Sequence, residues 1–326
     1  MKKQLPKSKD RKPRKTPPQQ PSQSSMESVL RNLQKVMEEK KFASLEEANE
    51  FLAALTNPGL QQVLLGDAPL SPQEEAQDLA FEAMEAESAA QSRKLVKRAL
   101  ALDPDCVDAL ALLVRLDANS PKEAIAGLQK AVAAGERSLG ADFFAENKGH
   151  FWGLLETRPY MRARLHLAEV LRGVGLEQEA VAHYEALLEL NPNDNQGLRY
   201  VLLGSYLAQD RLEDARKLLQ DYAGDNMASF AWGKVLERYL AGDHAGAQRA
   251  LKSARQENPF VELYLGGQRK PPDSMPGSYT LGSDEEALIC VDSVGAAWAK
   301  HPAALSWLME QLLAGKPAPR SSRKKN

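Results

Sequence analysis

The chain has 326 residues, of which 43% are apolar and only 6% aromatic, and its formal net charge is −2. This length is enough for one or two compact domains or for one medium-sized solenoid. Ala and Leu are abundant whereas β-branched runs of strand length are scarce, which argues against a sheet protein and predicts an all-α fold. No stretch approaches the roughly 20 apolar residues that a membrane helix needs.

The charges are distributed unevenly between the two ends and the body of the chain. Residues 1–25 carry eight basic residues and one acidic residue, and residues 316–326 carry five basic residues and no acidic one. Both segments contain few apolar residues, and we predict that they are disordered basic tails. Clustered lysine and arginine can bind phosphates non-specifically, so weak nucleic-acid contact through the tails is one possible function.

Two further features indicate a cytoplasmic location. The positively charged N-terminus is not followed by the apolar segment of a secretory signal. The two cysteines, Cys106 and Cys290, are far apart in the sequence and form neither a CxxC motif nor a plausible disulfide framework. The expected compartment is therefore a reducing one.

Helix starts can be recognised from serines that are followed three residues later by glutamate. Residues 26–70 are predicted to form a short N-terminal helical region, with one such capping box at Ser44 and Glu47. Ser71 and Ser120 begin the same pattern with proline at the first helical position, where its missing amide costs little.

A repeat of helical hairpins is the main finding. The small residues Ala180, Ala215 and Ala247 are 35 and 32 residues apart, close to the period of roughly 34 residues that helix-turn-helix repeats have. The large apolar residues that follow four positions later are Tyr184, Leu219 and Leu251. A small residue lets the two helices of a hairpin approach, and a bulky residue one turn later fills the adjacent groove. One hairpin cannot bury its apolar face alone, but stacked hairpins can.

This periodicity predicts the domain organisation of the rest of the chain. A solenoid of about five repeats is expected over residues 71–262, with an insertion near 140–159 that interrupts the array. Residues 263–315 are expected to form a loop and a C-terminal helical cap, because the end of a solenoid needs a polar outer face. An ordinary helical bundle is the alternative fold.

The repeat resembles the tetratricopeptide repeat (TPR) family. Residues 161–194 match that family's signature best, through Ala168, Leu171, Ala180, Tyr184 and Pro192. The resemblance covers about residues 73–262 and implies a helical-hairpin solenoid that binds a protein partner in its concave groove.

The C-terminal part resembles the suppression-of-tumorigenicity protein family and related uncharacterised bacterial TPR proteins. The resemblance is carried by Asn258-Pro259-Phe260-Val261, Tyr264-Leu265, the stretch from Gly282 to Ala287, and Trp298. Animal members of that family carry membrane segments, which this sequence lacks. The resemblance implies no established chemistry.

The candidate partner-binding groove follows from the TPR resemblance, because first-helix residues line the concave face in such repeats. Counting from each repeat start places Arg162, Arg172, Tyr200, Trp232 and Tyr239 on that face. Arginine and aromatic residues dominate binding hot spots. The groove could instead be filled by the C-terminal helices folding back.

The insertion contains the most unusual stretch of the chain, with His150, Trp152, Glu156 and Arg158 as its candidate motif. Glu156 could form a bidentate ion pair with Arg158 or Arg162. One interpretation is a loop that contacts a ligand beside the groove. The other, which we favour, is a wedge that packs the join between two repeats.

The predicted function is a non-catalytic protein–protein interaction scaffold or adaptor. The five histidines show no metal-ligand spacing, and the sequence has no phosphate-binding or dinucleotide-binding glycine motif and no nucleophile elbow. We therefore predict no catalytic residues, cofactor or metal. Two alternatives stay open: a nucleic-acid- or ribosome-associated accessory protein that uses the basic tails, and an enzyme with an unrecognised site near residues 147–162.

Overall fold

A computed structural model describes residues 23–40, 42–54 and 70–314 of the chain. These residues are helical with connecting loops, and no strand occurs among them. The predicted basic tails lie outside the described residues, except for residues 23–25, which belong to the first helix. The chain forms two compact units, one ending at Leu116 and one beginning at Asp117.

Within its described residues, the first unit contains five helices: α1 (Gln23–Glu39), α2 (Leu45–Ala54), α3 (Pro72–Glu85), α4 (Ala89–Leu102) and α5 (Val107–Asp117). Helices α3 and α4 form a hairpin. At the start of α3, the Ser71 hydroxyl accepts a hydrogen bond from the Glu74 amide, and the Glu74 carboxylate accepts one from the Ser71 amide. This reciprocal capping satisfies two amides that the helix itself leaves unpaired.

A small apolar core holds this unit together. It combines side chains of α3, α4 and α5, among them Ala76, Leu79, Val96, Ala99 and Leu112. At the tightest part of the hairpin, the buried Ser92 hydroxyl donates a 2.7 Å hydrogen bond to the carbonyl of Ala83.

Helix α1 is attached to α3 by ion pairs. The Arg31 guanidinium lies 2.7 Å from the Asp78 carboxylate, and the Lys35 ammonium lies 2.6 Å from Glu74. Burial tends to raise the pKa of Glu74, but the hydrogen bonds from Lys35 and Ser71 outweigh it and hold that pKa below its usual value.

The second unit contains the remaining helices. They are α6 (Pro121–Leu139), α7 (Ala141–Asn147), two 3₁₀ turns (Phe151–Gly153 and Leu155–Thr157), α8 (Arg158–Gly173), α9 (Glu177–Leu190), α10 (Leu198–Ala208), α11 (Leu212–Asp221), α12 (Ala228–Leu240), α13 (His244–Glu257), α14 (Val261–Leu265), α15 (Asp284–Lys300) and α16 (Pro302–Ala314).

Three helical hairpins, α8–α9, α10–α11 and α12–α13, stack in sequence order in this unit. The three repeat alanines, Ala180, Ala215 and Ala247, are completely buried at the helix contacts. Because the second helix of each hairpin carries its small residue at the predicted position, the two helices pack closely. The predicted all-α, TPR-like repeat fold is confirmed.

The C-terminal helices pack on this stack. Helix α15 lies against α10, α12 and α14, and α16 lies against α12, α14 and α15. Cys290 of α15 is buried, as is Cys106 of the first unit, and both are free thiols. The Cys106 side chain packs in the apolar core of the first unit, and burial raises the pKa of its thiol to about 12.

Candidate partner-binding surface

The first helices of the three hairpins, α8, α10 and α12, carry the residues that the sequence assigned to the groove. We call the surface of these three helices the first-helix face. Helix α15 lies along its α10 and α12 portion. The two helices approach closely at Gly204, where a Cβ atom would stand only 1.9 Å from the carbonyl oxygen of Ser293. The backbones of α10 and α15 are therefore in direct contact.

Two of the predicted groove residues make contacts within the chain. Trp232 is completely buried, and its indole Nε1 donates a 3.2 Å hydrogen bond to the carbonyl of Asn258. The Tyr239 ring lies 5.2 Å from the ring of Trp307 on α16 and 5.0 Å from that of His244. In this structure Trp232 belongs to the core, and Tyr239 is partly exposed and packs against Trp307 of α16.

Tyr200 lies in a polar network with Arg199 and Asp225. Its hydroxyl donates a 2.9 Å hydrogen bond to Asp225 and accepts a 2.7 Å bond from the Arg199 guanidinium, which also stands 4.7 Å from the Tyr200 ring centre. Burial and then the Asp225 carboxylate raise the pKa of Tyr200 above its ordinary value. Tyr200 thus joins α10 to the loop that precedes α12.

Arg199 is the centre of this network, and the sequence analysis did not single it out. Its guanidinium also pairs with Asp225 at 2.6 Å and with Asp194 at 3.3 Å, and lies 5.2 Å from the ring of Tyr222. Asp194 has a positive φ of 51°, and its carboxylate accepts hydrogen bonds from the Leu198 and Arg199 amides at the start of α10. No periodic signal marks these residues, because their partners lie in loops.

Arg162 and Arg172 lie on α8, where both are partly exposed. A hydrogen bond joins Arg172 to the hydroxyl of Tyr184, whose pKa burial raises to about 12. Helix α8 carries four arginines and a single acidic residue, Glu169. Helix α8 as a whole is therefore basic, and Arg162 and Arg172 are its arginines at predicted groove positions.

The insertion is organised around a cluster of aromatic rings. The completely buried Phe151 ring lies 4.9 Å from Phe144, 6.1 Å from Phe143 and 6.4 Å from Tyr160, measured between ring centres. Thr157, which is also completely buried, donates from its hydroxyl to the carbonyls of Phe151 and Leu154. These contacts fix the two 3₁₀ turns against the start of α8.

Two of the four residues of the predicted insertion motif contact each other. The Arg158 guanidinium stands 5.2 Å from the Trp152 ring centre, and its Nε donates a 3.1 Å hydrogen bond to the Trp152 carbonyl. His150 and Glu156 are exposed. Trp152 and Arg158 are thus joined by a cation–π contact and by a hydrogen bond to the Trp152 backbone carbonyl.

A buried carboxylate at the start of α15 connects three segments of the second unit. Glu286 is 1% exposed. It accepts hydrogen bonds from the Ala228 amide at 3.0 Å, the Gly282 amide at 2.6 Å and the Asn258 side-chain nitrogen at 3.0 Å. These bonds hold the start of α15 to the start of α12 and the end of α13.

Metal sites and membrane-spanning helices are two further features to consider in the described residues. No group of three or more histidine, cysteine, aspartate or glutamate side chains within them is arranged to hold a metal ion. None of the helices seen in the described ranges is long and apolar enough to cross a membrane.

Comparison with known families supports the repeat assignment. Residues 175–239, which cover α9, α10, α11 and most of α12, match the tetratricopeptide repeat family model. No curated protein matches the chain. The similarity of the C-terminal part to the suppression-of-tumorigenicity family stays a prediction from the sequence.

Proposed function

We propose that the protein is a non-catalytic interaction scaffold whose partner binds the α8 portion of the first-helix face. The observation that carries this proposal is the position of α15 on α10 and α12, with Gly204 against Ser293. The same type of surface already accepts a helix of the chain itself, in the helix-in-groove manner by which many proteins recognise a partner segment.

The α8 portion has the side chains that such a partner would contact. Arg162, Leu165, Glu169 and Arg172 are spaced by three, four and three residues, which places them on one side of the helix. Glu169 is exposed and the other three are partly exposed. Arg172 is ten positions after Arg162, which corresponds to about 15 Å along the helix axis.

This pattern favours a partner segment with carboxylates near its two ends and an apolar residue between them. Arginine pairs with carboxylates through a planar fork of donors, and Leu165 offers apolar surface between the two charges. The segment could be helical or extended, since either can present alternate side chains to one face.

Site-specific photo-crosslinking tests this proposal in cells. The crosslinking residue p-benzoylphenylalanine would replace Leu165 or Glu169 on α8, and, as matched controls, the exposed Glu179 on α9 or Lys252 on α13. We expect a discrete crosslinked protein from the two α8 positions and not from the controls. Adding Arg162→Glu should remove that product.

Equal crosslinking from all four positions, or none from α8 in correctly folded protein, would contradict the proposal. The nucleic-acid alternative rests on the basic residues of 1–25 and 316–326, outside the described structure, and predicts binding that salt removes. No feature near residues 147–162 specifically favours the enzyme alternative.

A further inference from the structure

A second recessed surface lies on the other helices of the stack, between α9 and α11. This α9–α11 cleft has a volume of about 420 Å³. Its apolar lining comes from Leu188 and Pro192 on one side and from Leu218 and Tyr222 on the other. A cleft of this size lies within the range of ordinary ligand sites and can accommodate a few side chains.

Carboxylates dominate the charged lining of the cleft. Glu185 and Glu189 project from α9, and Asp214 and Asp221 from α11, whereas Lys217 is the one cation among the residues that line this cleft. An apolar floor between acidic walls is complementary to a segment in which lysine or arginine alternates with apolar residues.

Two of the four carboxylates are held in place within the protein. The Arg211 guanidinium lies 2.8 Å from Glu185 and 2.7 Å from Asp214, and the Tyr206 hydroxyl donates a 3.0 Å hydrogen bond to Glu185. A carboxylate has about four acceptor positions, so these contacts leave room for an incoming donor. Their orientation is set before any partner arrives, which lowers the entropic cost of binding.

The other two carboxylates have partners that an incoming cation can replace. Asp221 pairs with Lys217 at 2.5 Å, and the two side chains are 50% and 72% exposed. Glu189 pairs with Lys148 at 2.5 Å, with 60% and 54% exposure. Exposed pairs of this kind contribute about 0–1 kcal/mol, so exchanging one cation for another costs little.

We propose that the α9–α11 cleft binds an extended segment of another protein in which lysine or arginine residues flank an apolar side chain. The apolar side chain enters between Leu188 and Leu218, and the flanking cations contact the acidic walls. This goes beyond the proposed function, because the cleft lies on second helices of the hairpins and uses none of the α8 residues.

A peptide-binding experiment with the full chain tests the proposal. The probe is a fluorescein-labelled peptide of alternating lysine, leucine and serine, and the control probe carries glutamate in place of lysine. Fluorescence anisotropy would compare the unmodified chain with a Glu189→Lys/Asp221→Lys variant, in which both altered side chains are well exposed. Helical circular dichroism and the urea midpoint confirm that the variant is folded.

The matched control is a Glu146→Lys/Glu257→Lys variant. Both positions are exposed near helix C-termini, where lysine is well tolerated, and the change in net charge is the same. We expect the cleft variant to bind the basic peptide about tenfold more weakly, equivalent to about 1.4 kcal/mol, and the control variant to bind as the unmodified chain does.

Three results would overturn the proposal. The first is that the unmodified chain does not bind the basic peptide. The second is that the cleft variant and the control variant bind this peptide equally weakly. The third is that the unmodified chain binds the glutamate peptide as tightly as the basic one. A chain whose basic residues between Lys2 and Lys15 are changed to glutamine provides a further comparison. Much tighter binding of the probe by that chain would show that its own N-terminal segment, rather than another protein, occupies the cleft. None of these results depends on crosslinking at α8, so the two proposals can fail independently.

Discussion

Gly204 of α10 touches the backbone carbonyl of Ser293 on α15, so closely that a Cβ atom would stand 1.9 Å from the oxygen. Replacing Gly204 with alanine therefore forces α15 away from the first-helix face. We expect a loss of about 1–3 kcal/mol in the free energy of unfolding, the usual cost of overpacking a core. Urea denaturation followed by circular dichroism would measure the change, and hydrogen exchange would show whether α15 loses protection.

Gly173→Ala is the matched control for that substitution. Gly173 also lies in a helix, but a Cβ atom there meets nothing within 4 Å. Alanine has the higher helix propensity by about 1 kcal/mol in a helix interior, so this variant should be as stable as the parent or slightly more stable. If both variants unfold at the same urea concentration, the α10–α15 contact is not as close as the structure has it.

The buried Glu286 carboxylate should be far more sensitive than its exposed neighbour Glu285. Glu286→Gln replaces one acceptor oxygen with an NH₂ group that faces a donor, either the Ala228 amide or the Asn258 side chain. Leaving buried polar groups unpaired costs about 1–3 kcal/mol, more when a charge was involved. Glu285→Gln should stay within about 0.5 kcal/mol of the parent, as surface substitutions usually do. Equal unfolding curves for the two variants would show that Glu286 does not connect α15 to α12.

These two contacts show what the sequence could and could not predict. The alanine spacing located the hairpins because Ala180 and Ala215 each lie in the second helix of their own hairpin. The two helices of a hairpin are close in sequence as well as in space, so the repeat pattern reflects their packing. Gly204 and Ser293 are far apart in the sequence, and nothing in the repeat indicates which helix covers the first-helix face. The repeat fold was therefore predictable. The sequence left open whether the C-terminal helices fill the groove, and the repeat pattern could not show that α15 is the helix that lies on α10 and α12.

The candidate site was predictable to a smaller degree. An aromatic residue such as Trp232 at a concave position gives the same pattern whether it faces a partner or a helix of its own chain. The hydrogen bond from its indole to the Asn258 carbonyl depends on the conformation of a loop, which the repeat period does not predict. Arg199 was missed for a similar reason, since its partners Asp194 and Asp225 lie in loops on either side of a hairpin.

The imidazole of His183 predicts a pH dependence of stability. Burial, and then the Arg164 guanidinium, lower the pKa of His183 below its ordinary value near 6.5, and Glu179 opposes this to a smaller extent. The folded state therefore favours the neutral ring, while the unfolded chain takes up a proton as the pH falls through that value. The neutral ring therefore contributes stability at pH values above the pKa that His183 has in the unfolded chain. This contribution is lost as the pH falls from that pKa toward the lower pKa that His183 has in the folded protein.

His183→Gln should remove this part of the pH dependence. In the parent, the free energy of unfolding should decrease below pH 6.5 by up to about 1.4 kcal/mol per pH unit from this group. Urea denaturation at a series of pH values would give the slope for the parent, for His183→Gln and for the exposed control His244→Gln. A parent and a His183→Gln variant with the same slope would contradict the prediction.

The planar guanidinium of Arg199 should not be replaceable by lysine. Arg199 bonds to Asp225 and Tyr200 and stacks on two tyrosine rings, which requires a fork of donors on a flat group. Arg199→Lys keeps the charge but loses this geometry, and we expect a loss of about 1–2 kcal/mol. Arg249→Lys, at an exposed position of α13, is the control and should be neutral within error.

The insertion allows a direct comparison between two adjacent aromatic residues. Phe151 is completely buried among Phe143, Phe144 and Tyr160, whereas Trp152 is partly exposed and lies under Arg158. If the insertion is a packing wedge, Phe151→Ala should cost about 3–5 kcal/mol, because it leaves a cavity in the aromatic cluster. Trp152→Ala should cost about 1 kcal/mol, the size of a partly exposed cation–π contact.

The crosslinking experiment at α8 then separates the two interpretations of the insertion. A Trp152→Ala variant that is stable but no longer gives the α8 crosslinked product would assign Trp152 to partner binding. If the product is unchanged in that variant and the Phe151→Ala variant unfolds readily, the insertion supports the start of α8 and does not contact the partner. A Phe151→Ala variant as stable as the parent would contradict the wedge, because a completely buried phenylalanine cannot be removed from a packed cluster without cost.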